Sequence, residues 1–237
     1  MKVSYPFTVQ SFETDYRRMI KPASLQCRIQ ELAYLASGAG GASYENLRAR
    51  GLFWVLNRVH IHMDEWPLWG DEVQLQTWCR ERTGPLYQRH FLLWRGEEVL
   101  MKATTSWSIL TMEGRNIVRE LLYPDDFMEP DDLLPYCVKT LPPAGMTMTP
   151  AGSHTVVYSD LDSNNHVNNC TYLQWAMDLM GLPYLSAHRL SDIRIGYYRE
   201  AYPDEIIDFF LGESGCDRYV EGRVGGERSF CIQLTFA

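Results

Sequence analysis

Hydrophobic positions along the chain follow two periods, and the order in which the periods alternate occurs twice. Residues 4–13 alternate apolar with polar, the two-residue period of a strand. From Pro22 onward apolar side chains fall at Leu25, Ile29, Leu32 and Leu35, the spacing of a helix with one buried face. Pro22 suits a first helical turn, and Gly38, Gly40 and Gly41 suit its end. A second short helix is predicted over 44–51. Residues 53–63, 72–80, 86–94 and 99–110 are rich in aliphatic and aromatic side chains. Pro67, Gly70, Gly84, Pro85, Gly96 and Gly114 punctuate them, the pattern of a meandering antiparallel sheet.

Residues 120–152 interrupt this order with prolines at 124, 130, 135, 142, 143 and 150 and an acidic cluster of Asp125, Asp126, Glu129, Asp131 and Asp132. That composition reads as a surface linker over 123–152. A strand over 154–159 follows, then a helix over 167–180 with apolar residues at Val167, Cys170, Leu173, Ala176, Met177 and Met180, stopped by Gly181 and Pro183. Strands are predicted over 189–200, 205–213, 216–224 and 228–236. Gly70, Asp71, Glu72 and Val73 have a counterpart in Pro203, Asp204, Glu205 and Ile206. Strand, helix and strands therefore recur, which predicts a duplicated α+β unit. The first domain is expected over 1–122 and the second over 153–237.

Composition narrows the function. The chain has 237 residues and a net charge of −8, which opposes a nucleic-acid partner because phosphate contact needs a basic face. Arg17, Arg18 and Lys21 form one short basic cluster, read equally well as solvated surface. Six cysteines without CxxC spacing read as reduced thiols. The N-terminal sequence has neither signal-peptide nor transit-peptide character, and no apolar run approaches the ~20 residues of a membrane span. A soluble, cytoplasmic protein is expected.

Polar chemistry concentrates in residues 158–169, YSDLDSNNHVNN, between a strand and a helix. Asp and Asn favour the turn before a helix and cap its free N–H groups. The helix N-terminus could also stabilise an oxyanion, and His166 could move a proton there. Cap and site both fit the composition. Glu200 is flanked by Tyr197, Tyr198 and Tyr202. Apolar surroundings make a carboxylate a better base, whereas an Arg199–Glu200 surface pair is the plain reading. His60 and His62 lack a third ligand nearby, so no metal site is expected. Gly38, Gly40 and Gly41 lack the Lys-Ser/Thr of a phosphate loop, and no GxSxG elbow occurs. Cys170 falls on the apolar helix face and reads as core.

The string Asp160, Asp162, Asn164, His166, Asn168, Asn169, Tyr172 and Trp175 closely resembles the signature of the plant and bacterial fatty acyl-ACP thioesterases. Tyr198, Arg199 and Glu200 resemble that family's later Tyr-Arg-Arg-Glu segment. Trp54, His60, Met63, Asp64, Pro67, Trp69, Gly70, Asp71, Val73, Ala103, Thr104 and Trp107 extend the match, so that it spans about residues 4–237. The resemblance implies two tandem hot-dog domains, each a long helix wrapped by an antiparallel sheet, with Asp162, Asn164, His166 and Glu200 on the catalytic positions. It implies no cofactor, and as partner an acyl carrier protein bearing a fatty acyl chain. A hot-dog acyl-CoA thioesterase and a non-catalytic acyl-binding module are the alternatives. Ala201 replaces the family's usual Cys, which shifts the chemistry from thiolate to carboxylate, with Asp162 or Glu200 as nucleophile or base. Aligning the two helices puts Lys21, Ala23 and Leu25 opposite Asp162, Asn164 and His166. The first domain is then expected to shape the acyl pocket without catalysing. Monomer and homodimer both fit a chain holding two such units.

Overall fold

A computed structural model of the chain describes residues 2–120, 122, 128, 133–135 and 137–237. The chain divides into two units, Met1–Cys137 and Val138–Ala237. The acidic cluster at 125–132 lies outside the described residues.

In the first unit, strand β1 (Val3–Thr8) precedes helix α1 (Pro22–Ala39) and the short α2 (Tyr44–Ala49). Strands β2 (Leu52–Met63), β3 (Glu72–Thr83), β4 (Leu86–Arg95) and β5 (Glu98–Thr111) follow. They pair antiparallel in the order β1-β3-β4-β5-β2. The second unit repeats the plan with β6 (Thr149–Thr155), α3 (Asn169–Met180), α4 (Leu182–Ala187), β7 (Leu190–Tyr197), β8 (Ile206–Ser214), β9 (Asp217–Val224) and β10 (Glu227–Phe236). Its antiparallel order, β6-β8-β9-β10-β7, is the same strand for strand.

The helical spacing explains the packing. Leu25, Ile29 and Leu32 turn one face of α1 into a core shared with Ile61, Leu75, Phe91 and Met101. Cys170, Leu173 and Ala176 do the same on α3 against Ile193, Ile207, Val220 and Phe230. Each unit is thus a helix held by an antiparallel sheet, the hot-dog plan. Cys170 is core, as its spacing indicated. Close approach replaces side-chain filling at Gly222, where a Cβ would stand 2.1 Å from the ring of buried Phe230.

Several boundaries differ from the sequence reading; α3 starts at Asn169 rather than 167, and β7 ends at Tyr197 rather than 200, which leaves Glu200 beyond the strand. The second unit's first strand is Thr149–Thr155, earlier than 154–159, and residues 158–160 form a 3-10 turn instead. The strand predicted over 4–13 stops at Thr8, before a 3-10 turn at Ser11–Glu13. Pro183 does not end helical structure; it occupies the first turn of α4, where its missing N–H costs nothing.

The duplication extends to single hydrogen bonds. A bridge joins Thr14 to Ile20 in one unit and Leu161 to Val167 in the other. Asp15 N–H donates to Met19 O and Asp162 N–H to His166 O; Ile20 N–H donates to Pro67 O and Val167 N–H to Ala201 O. Arg18 (φ 67°) and Asn165 (φ 62°) occupy the same left-handed position. Asp15, Arg17 and Met19 therefore stand opposite Asp162, Asn164 and His166, and Trp66 stands opposite Glu200. The helix-based alignment to Lys21, Ala23 and Leu25 is corrected: the string belongs to the loop before each helix, not to the helix. The two turns after β2 and β7 also shift by one, with Gly70 (φ 91°) matching Asp204 (φ 65°) rather than Pro203.

Candidate active site

The loop after the 3-10 turn is closed by the Leu161–Val167 bridge and by Asn168 N–H donating to Asp160 O (2.8 Å). Within it Asp162 Oδ1 accepts from Asn164 N–H (2.8 Å), the hydrogen bond of an Asx turn. The Asn164 side-chain amide reaches Asp162 Oδ2 at 3.4 Å. The loop turns back at Asn165, so that His166 returns beside Asp162.

Glu200 comes from the segment that follows β7. The imidazole of His166 lies between the two acids, with Nδ1 3.6 Å from Asp162 Oδ1 and Nε2 3.7 Å from Glu200 Oε1. All three side chains are partly buried, at 21%, 18% and 25% exposure for His166, Asp162 and Glu200. That burial leaves a face open to substrate while weakening water's screening of their charges. The four residues singled out in the sequence are thereby brought together in the second unit. An imidazole between two carboxylates can pass a proton in either direction, and Asn164 offers an amide donor beside them.

The geometry changes two expectations. Helix α3 begins at Asn169, and its N-cap Asn168 uses its own side chain to accept from Cys170 N–H (3.0 Å). Thr171 N–H is bound by Asn168 O (2.9 Å). These two helix-terminal donors are occupied within the chain. Ala201 is fully buried, so a thiol at that position would be buried with it.

Sequence reasoning gave Tyr202 no role of its own. Its hydroxyl donates to Glu200 Oε2 at 2.8 Å, and its ring meets His166 edge-on at 6.1 Å. The available signal was the two-residue spacing from Glu200. Arg199 binds Glu205 (2.7 Å), and that hydrogen bond holds the Glu205 carboxyl below its usual range. Its Nη1 donates to the main-chain oxygen of Glu200 at 3.3 Å.

Behind the loop, Asp160 is buried and accepts from Val157 N–H (2.8 Å) and from His154 Nε2 (2.7 Å). His154 packs on Trp175, ring centroids 4.8 Å apart. The first unit solves the same problem with the parts exchanged: Glu13 accepts from Gln10 N–H (2.9 Å) and from Arg28 Nε (2.8 Å), and Arg28 lies 4.7 Å over Phe7. The side-chain partner of the carboxylate moves from helix to strand, the ring it packs on from strand to helix.

At the positions of Asp162, Asn164, His166 and Glu200 the first unit carries Asp15, Arg17, Met19 and Trp66. Asp15 makes the same loop hydrogen bond, accepting from Arg17 N–H (2.8 Å), and Arg17 Nη2 pairs with its other oxygen (3.0 Å). Met19 and buried Trp66 supply neither base nor acid. Among the described residues no group of three or more His, Cys, Asp or Glu is placed to hold a metal ion.

Comparison with known proteins gives a consistent result. The model of the acyl-ACP thioesterase N-terminal domain matches residues 2–130, and that of the acyl-ACP thioesterase C-terminal domain matches residues 149–223. A palmitoyl-acyl carrier protein thioesterase of Gossypium hirsutum is 29% identical over 220 residues, covering 86% of this chain and 53% of its own. An oleoyl-acyl carrier protein thioesterase of Coriandrum sativum is 28% identical, covering 71% and 49%. The chain spans about half the length of these curated relatives. The fold is that of an acyl-ACP thioesterase from Bacteroides thetaiotaomicron (TM-score 0.88, 22% identity, covering 100% of this chain and 98% of that one). It is equally that of the 12:0-ACP thioesterase of Umbellularia californica (TM-score 0.84, 19% identity, covering 100% and 97%).

Proposed function

The chain belongs to the acyl-ACP thioesterase family, and we propose that it hydrolyses the thioester of a fatty acyl-acyl carrier protein through the His166 site of its second unit. The observation that carries this reading is the placement of one imidazole between two carboxylates, 3.6 and 3.7 Å away, in the unit that also keeps Asn164.

Glu200 is assigned as the general base. Both units keep an Asp that closes the loop, and in the first unit it does so with Met19 and Trp66 at the positions of His166 and Glu200. Asp162 is therefore first a loop-closing group, with its charge facing His166. Glu200 has one oxygen bound by Tyr202 and the other turned to His166. Water attacks the carbonyl carbon as Glu200 takes its proton, and Asn164 donates to the carbonyl oxygen as charge develops. The tetrahedral adduct then expels the thiolate, which is protonated by way of His166. The products are a free fatty acid and the carrier thiol.

Hydrolysis in oxygen-labelled water under single-turnover conditions tests the route. Label is expected only in the released acid; label in the Asp162 carboxylate would mean direct attack through a mixed anhydride. A panel of acyl-ACPs, read as acid released by chain length, tests the activity. Faster release from acyl-CoA would reassign the carrier, and acyl thioesters retained intact for hours would mean a binding module. No helix among the described residues is long and apolar enough to cross a membrane. The cysteines are all free thiols, which supports the cytoplasm as the compartment.

A further inference from the structure

The corner that carries Glu200 is built on a turn that both units share. Tyr202 N–H donates to Glu205 Oε2 (2.8 Å), as Leu68 N–H donates to Asp71 Oδ2 (3.0 Å). Glu205 N–H returns a bond to Tyr202 O (3.2 Å), as Asp71 N–H does to Leu68 O (3.0 Å). Each turn is also tied to the residue after its unit's first strand: Asp204 N–H donates to Val156 O, as Gly70 N–H does to Val9 O.

The charges around this turn are rearranged between the units. In the first, Arg95 at the end of β4 reaches Glu65 (2.8 Å), Asp71 (3.1 Å) and Glu98 (2.8 Å). In the second, Val224 stands in the place of Arg95 and Arg199 in that of Glu65. Arg199 serves the two acids that remain, binding Glu205 at 2.7 Å and lying 3.5 Å from Glu227. The cation has thus moved from a strand end onto the corner itself, one residue before Glu200. From there its Nη1 donates to Glu200 O at 3.3 Å.

Tyr202 replaces Leu68, and its hydroxyl donates to Glu200 Oε2 at 2.8 Å. The bonds therefore close a ring that begins and ends on Glu200. It runs from the Glu200 carboxylate to the Tyr202 hydroxyl, from the Tyr202 N–H to the Glu205 carboxylate, and through the Arg199 guanidinium to the Glu200 carbonyl. The turn does not need the phenol, since Leu68 makes the same turn without one. What the ring adds is restraint on Glu200, which lies beyond β7 and whose terminal carboxylate torsion is intrinsically soft. With Oε2 held by Tyr202, Oε1 stands 3.7 Å from His166 Nε2.

We propose that Tyr202, Arg199 and Glu205 are positioning residues for Glu200: the Arg199–Glu205 pair holds the turn, and the Tyr202 phenol carried on it aims the carboxylate at His166. The inference rests on the reading of Glu200 as the catalytic base.

The test transplants the first unit's solution. Tyr202 is 40% exposed, so Tyr202→Leu is expected to fold, with kcat on acyl-ACP lowered about tenfold and KM within twofold of wild type. Tyr202→Phe removes a single oxygen and should match it. Glu205→Ala removes the acceptor of both Arg199 and the Tyr202 N–H and should cost a similar factor; Tyr202→Phe carries the test if Glu205→Ala does not fold. On a Glu200→Gln background both factors should vanish, because the ring acts through Glu200. Tyr202→Phe with kcat within twofold of wild type overturns the proposal, and so does a loss confined to KM or a factor that survives on Glu200→Gln. Glu200→Gln turning over near the wild-type rate would instead overturn the base reading, and a wild-type protein inert on every acyl thioester the hydrolase reading. The ring is then read directly from the carboxyl carbon resonance of Glu200 in isotope-labelled protein, which should shift in Tyr202→Phe and in Glu205→Ala; a resonance unmoved in either variant overturns it.

Discussion

Replacing His154 by Phe, the residue that β1 carries at the matching position, should loosen the loop that presents Asp162 and His166. Asp160 anchors that loop through its carbonyl, which accepts from Asn168 N–H, and its carboxylate is buried to 8% exposure. The substitution leaves the carboxylate with Val157 N–H and without its 2.7 Å partner. A hydrogen bond to a charged group contributes about 1.5–3 kcal/mol. The His154 side chain is 33% exposed, so solvent screening brings the loss to about 1–2 kcal/mol, at and just below the bottom of that range. With a urea m-value of about 2 kcal/mol/M, the midpoint should fall by roughly 0.5–1 M. The ring of Trp175, 4.8 Å from His154, provides a local fluorescence signal for the transition. The decisive measurement is a double-mutant cycle with Asp160→Asn, in which His154→Phe should add little further destabilisation. Independent, additive effects of the two substitutions would refute the idea that His154 acts by holding Asp160.

Other outcomes follow from the same geometry. Glu200→Gln should lower kcat by roughly 10²–10⁴, and Tyr202→Phe by a smaller factor because Glu200 keeps its oxygen toward His166; turnover of Glu200→Gln near wild type would remove Glu200 from the mechanism. Glu205 titrates below its ordinary 4.5, chiefly through the Arg199 hydrogen bond, so its contribution to stability is complete above that pH and disappears as pH falls through the lowered value. Glu205→Gln should flatten that part of an acid-unfolding curve, and an unchanged curve would mean that the pair contributes nothing. Gly222→Ala should cost about 1–3 kcal/mol in urea unfolding, because the Phe230 ring is held by Tyr172 and cannot move away freely. A neutral effect would show that this core is looser than its contacts indicate.

The period of the hydrophobic pattern determined the elements. Helix α1 and all four long strands of the first unit lie where their spacing placed them, because burying one face of a helix or strand leaves a mark every few residues. The repeated order of elements was visible for the same reason. So was the density of polar groups in the Asp162–His166 stretch, since a cluster of acids, amides and an imidazole is local in sequence. Local pattern gave less help where the chain changes direction. The 3-10 turn at Tyr158–Asp160 and the start of β6 were misplaced because no periodicity marks a turn.

Tertiary structure decided the rest. Glu200 and His166 meet only because a loop and the end of a strand converge, a contact between residues far apart along the chain. The internal comparison also required hydrogen bonds: Met19 is recognised as the counterpart of His166, and Trp66 of Glu200, by shared bridges and donors rather than by residue type. The same holds for the buried carboxylates Glu13 and Asp160, whose side-chain partners come from a helix in one unit and a strand in the other. Sequence carries the residue types and their period. Which side chains face one another is set by packing the helix against the sheet, and that pairing turned a polar cluster into a candidate active site.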